Sequence, residues 1–158
     1  MPVYPPLAIT RYWERLNDGL IALAGMVPDD KWNWSPAPGE WNFRGVFLHI
    51  AGSRHHWMEN AIRDGQGTPD FIRNGQSPDG LKEQLALSWS RQMGLLGDAT
   101  ALASTYRSAD DADPWDGDGN WIAFRRLEHD ILHRAQLLSY FQILGIELPG
   151  VDSAWGAR

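Results

Sequence analysis

Four segments of this chain repeat apolar residues at helical spacing, and none shows the strict alternation a half-buried strand needs. The first runs from about Leu7 to Met26, with Ile9, Tyr12, Trp13, Leu16, Leu20 and Leu23 along one stripe. The second runs from about Trp41 to Asp64, with Asn42 placed to cap it. The third runs from about Leu81 to Ser104. Ser77, Pro78 and Asp79 supply its start chemistry, and Leu85, Trp89, Gln92, Leu96 and Ala99 mark its inner face. The fourth runs from about Trp121 to Leu144 and is followed by Gly145, where a helix-ending glycine belongs. Segments rich in Pro, Asp and Gly separate them. Such helices bury their stripes only by packing together, so the expected fold is all-α, a four-helix bundle. Residues 65–80 make a long connection for neighbouring antiparallel helices. This predicts one long crossover rather than a simple up-down-up-down order. At 158 residues, one domain over 1–158 is the simplest division.

Composition narrows the function. The net charge is −6 and no Lys/Arg cluster interrupts it, which argues against a nucleic-acid partner. There is no cysteine, so a metal site would have to use His, Asp or Glu. No basic-then-apolar leader opens the chain and no run of about 18 apolar residues occurs, so no membrane span is expected and a cytoplasmic location is the default. Nine tryptophans are many for this length; some should line a cavity or an interface.

At 100° per residue, Ile122, His129, His133, Leu137, Tyr140 and Leu144 share one arc of the fourth helix, which should face the interior. His129 and His133 stand one turn apart on it. That geometry grips one metal ion or packs into a core equally well, and a third ligand decides between them. His49 sits at the edge of an arc with Phe43, Val46, Ile50 and Trp57. Gly45, Gly52 and Ser53 around it either leave room for an ion or serve close helix packing. His56 falls on nearly the same side, about 10.5 Å along the axis, so it would line the cavity rather than share the ion. His55 points away, toward solvent. Trp41, about 12 Å before His49 by helix rise, would be a core or pocket-wall residue. Arg134 points away from the histidines as a surface or salt-bridge residue, whereas Gln136 falls beside His129 and could support a ligand.

"WNFRGVFLHIAGSRHHW" and "LEHDILHRAQLLSYFQILGIELPG" together resemble the DinB/YfiT-like superfamily. The shared pattern is Trp41 and His49 eight residues later, then His129, His133, Arg134, Ala135 and Gln136, then Tyr140, Leu144, Gly145 and Pro149. Ala135 departs from the family's glycine; alanine is the better helix former and should leave the ligands undisturbed. The resemblance covers essentially the whole chain. It implies a four-helix bundle with a metal held by His49, His129 and His133.

Three neutral imidazoles with open positions make a catalytic type of site. Nitrogen donors suit zinc or nickel, with iron or manganese also open. Such an ion lowers the pKa of a bound water or thiol. The family resemblance implies transfer of low-molecular-weight thiols such as bacillithiol or mycothiol, and here the thiol would have to come from outside. A metal-dependent hydrolase is the alternative. His129-Asp130-Ile131-Leu132-His133 is one methylene short of the H-E-x-x-H pattern, with Asp130 as its general base, or else solvated or supporting a ligand. A non-catalytic, stress-related metal-binding scaffold is the third reading.

Two weaker features remain. Asp116, Asp118 and Asn120 open like a calcium loop, but Trp121 replaces its glycine and Leu127 its bidentate glutamate, so a solvated loop is the better reading. Phe124, Leu127, Ile131 and Leu138 form a second apolar stripe, met by a neighbouring helix or by a homodimer partner.

Overall fold

The computed structural model describes residues 6–62, 77–107 and 115–148. Four long helices stand where the periodicity places them: α1 (Pro6–Met26), α2 (Phe43–Ile62), α3 (Pro78–Leu96) and, at the end, α5 (Gly119–Ile143). Their ends follow local chemistry. Asn42 Oδ1 accepts the Gly45 amide at 2.8 Å at the start of α2. Ser77 accepts from the Gly80 amide at 3.0 Å to open α3. After α5, Gly145 adopts φ 66°, and the amides of Gly145 and Ile146 return to the carbonyls of Gln142 and Phe141, both at 3.0 Å. All but a few residues of 65–80 lie outside the described residues.

The third helical segment does not run unbroken to Ser104. It stops at Leu96, and Asp98, in an extended conformation, accepts the amides of Thr100 and Ala101 to start a second short helix, α4 (Ala99–Ala103). A two-stranded hairpin then joins β1 (Thr105–Arg107) to β2 (Asp116–Asp118), antiparallel, with Tyr106 opposite Gly117. Three-residue strands are too short for alternation to register in the sequence. The calcium-like residues have structural jobs. Asp116 pairs with Arg107 across the hairpin, Asp118 Oδ1 caps the Trp121 amide at 2.8 Å, and Asn120 donates to the Leu102 carbonyl at 3.0 Å. Gly119 is required here, because a Cβ would sit 2.4 Å from the Ala101 carbonyl oxygen.

Helix α1 lies against α3 and α5, and α2 lies against the same two, so α1 and α2 face each other diagonally. α3 and α5 are diagonal in the same way and are joined through α4 and the hairpin. Residues 65–80 link the neighbours α2 and α3 rather than making the crossover expected there. The segment joining α1 to α2 across the end of the bundle is Val27–Asn42. It carries a 3-10 turn (Asp29–Lys31) and plugs that end with Trp32, 5.9 Å from the Phe47 ring, and Trp34, 5.9 Å from Phe43. The core is built from Trp13, Leu16, Leu20 and Leu23 of α1 with Phe43, Val46, Phe47 and Ile50 of α2. Leu81 and Leu85 of α3 and Leu137 and Phe141 of α5 complete it. Each such side chain stabilises the fold by roughly 1.5–3 kcal/mol through burial. Leu127, Ile131 and Leu138 of the second apolar stripe pack against this core, whereas Phe124 is exposed. Among the described residues no helix is long and apolar enough to cross a membrane.

Candidate metal centre

Helices α2 and α5 lie side by side with opposite directions, pairing His49 with His129, Ser53 with Arg126, and Trp57 with Trp121. At one end of this seam the three imidazoles converge. His49 and His129 bring their Nε2 atoms to 2.8 Å, and the ring of His133 lies 4.7 Å from His49 and 4.4 Å from His129. One nitrogen from each ring falls within 4.8 Å of the others. A tetrahedral ion with nitrogen ligands at about 2.0–2.1 Å sets them about 3.3 Å apart, between these two values. The donor set therefore fits one divalent ion.

The tautomer of His133 follows from its neighbours. The Trp41 carbonyl can only accept, so Tyr140 Oη donates to it, at 2.7 Å. Tyr140 must then accept from Gln136 Nε2, at 3.0 Å, which turns Gln136 Oε1 toward His133 Nδ1, at 2.9 Å. That nitrogen carries the proton, and Nε2 is left as a lone pair for the cluster. Burial raises the Tyr140 phenol, which keeps its proton for this line. Gln136 thus supports His133, not the His129 beside which the sequence places it. Gln136→Ala should lower metal affinity roughly 10–100-fold, read by competition with a chromophoric chelator.

His49 and His129 stay neutral near pH 7. Burial, then the charges of His129, His133 and Arg126, pushes His49 down to about 4. Burial also lowers His129, against the opposing pull of Asp130. His129 Nδ1 accepts from Arg126 Nη2 at 3.2 Å, and Asp130 Oδ1 lies 3.7 Å away, outside hydrogen-bond distance. His129 would therefore have to exchange Arg126 for that carboxylate to donate from Nδ1 with Nε2 as a ligand.

Asp130 is fully buried, not solvated. Its Oδ2 accepts from Trp13 Nε1 at 2.8 Å and from Arg54 Nη2 and Nε at 2.8 and 3.1 Å, while Oδ1 accepts from Arg126 Nη2 at 3.2 Å. Burial alone would raise its pKa. Arg54, His129 and Arg126 outweigh that and hold the carboxyl well below the usual range. A carboxylate that accepts from Trp13, Arg54 and Arg126 is poorly placed to take a further proton as a general base. Arg54 also donates to Asn17 at 2.8 Å and sits 5.7 Å from the Trp89 ring, so this one guanidinium touches all the long helices. Arg126 is equally enclosed; burial lowers it to about 10, Asp130 opposes this, and it remains charged at neutral pH.

Other residues depart from expectation. His55 is buried, with Nε2 3.2 Å from Gln84 and Nδ1 2.7 Å from Arg91, and His56 is exposed. Arg134 is buried rather than on the surface. Trp41 is not a core residue. It precedes the cap of α2, so its ring folds back to 4.4 Å from His49 and stacks on His133 at 5.9 Å, while 44% of the residue stays exposed. The space beside Gly45 is filled, since a Cβ there would meet Asn42 Oδ1 at 3.2 Å and Trp41 Cβ at 3.6 Å.

A helical bundle with a half-exposed trio of imidazoles on two facing helices defines a class of candidate metalloproteins. The chain belongs to the DinB superfamily, whose profile matches residues 12–137. Its fold is similar to that of a DinB-like protein from Bacillus subtilis, with a TM-score of 0.67 at 20% identity over 91% of this chain and 96% of that one. It is also similar to a DinB family member from Exiguobacterium sibiricum, with a TM-score of 0.63 at 20% identity over 91% and 95%. No curated protein matches the chain.

Proposed function

We propose that this protein is a metal-dependent transferase of low-molecular-weight thiols, with His49, His129 and His133 holding one divalent ion, zinc or nickel. The observation that carries the reading is the line Trp41–Tyr140–Gln136–His133, which commits His133 Nε2 to accepting rather than donating. A divalent ion there would supply Lewis acidity and favour the deprotonated form of a thiol. The chain's own residues do the rest. His49 and His129 are kept neutral by burial and so present lone pairs. Asp130 sits where it can orient His129, and Trp41 covers one side of the cluster with a half-exposed ring.

The state of Asp130 favours transfer over hydrolysis. Base-assisted attack by water needs a side chain free to take a proton, and the nearby carboxylate is already filled by Trp13, Arg54 and Arg126. A thiol of lowered pKa needs no such base. The chain has no cysteine, so the sulfur comes from a second substrate, loses its proton and displaces a leaving group on an electrophile.

The test uses zinc- and nickel-loaded protein with bacillithiol or mycothiol and a chromogenic aryl halide. Conjugate formation should require both metal and thiol and disappear in His49→Ala. Thiol-independent ester hydrolysis under the same conditions would favour the hydrolase instead. Metal binding without either reaction would favour a non-catalytic scaffold.

A further inference from the structure

Ser53 lies one turn beyond His49 on the same seam, half-buried, and accepts a 2.7 Å hydrogen bond from Arg126 Nη1. Of the other described helical serines, Ser88 and Ser139 donate back to a carbonyl three or four residues earlier, both at 3.0 Å, and the exposed Ser90 does not. Ser53 makes no such bond among the described residues; its oxygen is engaged by a cation, and its half-exposed hydroxyl keeps its proton for solvent or a ligand. A hydroxyl polarised in this way is a strengthened donor toward an incoming acceptor.

The charge behind it points the same way. Arg54 and Arg126 are both buried and both draw on the carboxylate of Asp130, so among the described residues this pair carries one positive charge more than the acceptor it shares. Arg126 Nε is also buried without a hydrogen-bond partner. In a chain of net charge −6, a buried cationic excess is out of keeping with the rest of the molecule and is best balanced by an anion. One surplus charge matches a monoanion better than a dianionic phosphate.

We propose that Ser53, backed by Arg126, receives a carboxylate on the small molecule that meets the histidine cluster. The carboxylate and the group facing the histidines would then be separated by about one helical turn, roughly 5–6 Å. This rests on the cluster being a metal site only for the second of those contacts.

The test is titration of acetate, with acetamide as its uncharged match, into zinc-loaded and zinc-free protein whose zinc content is measured in the same samples. Acetate should bind the loaded protein about tenfold more tightly than acetamide. Ser53→Ala should lose about that factor for acetate alone, with zinc content unchanged, and Ser53→Thr should restore it. In zinc-free protein, acetate should still shift the Ser53 and Arg126 backbone amide resonances, and Arg126→Gln should remove the effect. Wild-type acetate affinity in Ser53→Ala, or silent amides in the zinc-free protein, would overturn the assignment. A wild-type protein that takes up no zinc defeats the metal reading instead, and the zinc-free titration then decides this one.

Discussion

Replacing His49 by alanine should reduce bound divalent metal from about one equivalent to a small residue, as measured by elemental analysis after zinc supplementation. His129 and His133 would remain as a one-turn pair on α5, a two-ligand site without the donor that closes it from α2. Loss of a supporting residue typically costs 10–100-fold in affinity, so loss of a ligand should exceed roughly 100-fold. The fold should survive, since the imidazole is half-exposed at the rim of the core and its removal opens no large cavity. The thermal midpoint of the metal-free variant should therefore match that of metal-free wild type. Added zinc should raise the midpoint only in wild type, because only a bound ligand shifts the unfolding equilibrium. Acid bears on the same ligand. With His49 held near 4, protons do not compete for it until the pH approaches that value, whereas the unfolded chain takes up the proton near 6.5. His49 accordingly destabilises the metal-free fold progressively as the pH falls from about 6.5 to about 4. Equal metal in variant and wild type would exclude His49 as a ligand. If neither took up metal after supplementation, catalysis through this cluster would be abandoned and the bundle would stand as a binding module.

The histidine pair on α5 was legible because its evidence is local, whereas His49 joined it through the family resemblance. Spacing of four on a helix puts His129 and His133 on one side, and the helix ends at Ser77, Asn42 and Gly145 are set by their own side chains or backbone freedom. What escaped was charge in the interior. A wheel drawn on hydropathy centres α5 on the histidines. The buried row is in fact Ile122, Arg126, Asp130, Arg134, Leu137 and Phe141, turned so that the histidines lie at the rim. That rotation is what leaves them accessible. A signal was present: Arg126 and Asp130 are opposite charges four apart on a row closed by Ile122 and Leu137, and Arg54 continues the row of Val46 and Ile50. His55 likewise stands between Ala51 and Met58 at i−4 and i+3, both buried, which favours an inward His55 over His56. Trp41 was misplaced by counting helix rise through a residue that lies before the cap. The crossover at Val27–Asn42 depends on which helices become neighbours, information that no single segment carries.

Asp130→Ala should be the most destabilising of these changes, by roughly 3–5 kcal/mol in urea unfolding at pH 7. It removes the acceptor that Arg54 and Arg126 share and strands the Trp13 indole N–H, in places that are buried. The loss is chiefly the cost of leaving cations buried without a partner, not the net worth of the ion pair. Asp130→Asn keeps the shape and loses the charge, and should recover only a minor part. The dependence on pH gives the cause away. The carboxyl is held below its ordinary value in the fold, so its contribution is complete well above the unfolded value of about 3.9 and declines as the pH falls from there toward the folded one. The gap between wild type and Asp130→Ala should therefore be constant from about pH 6 upward and narrow below about pH 4. Metal affinity should fall as well, about 10–100-fold, through the loss of support for His129 Nδ1. A general base predicts a different set of results: full stability, full metal content and no turnover. A gap below about 1 kcal/mol that ignores pH would mean that the Arg54–Asp130–Arg126 network does not hold the bundle together, and the same carboxylate would again be available for chemistry.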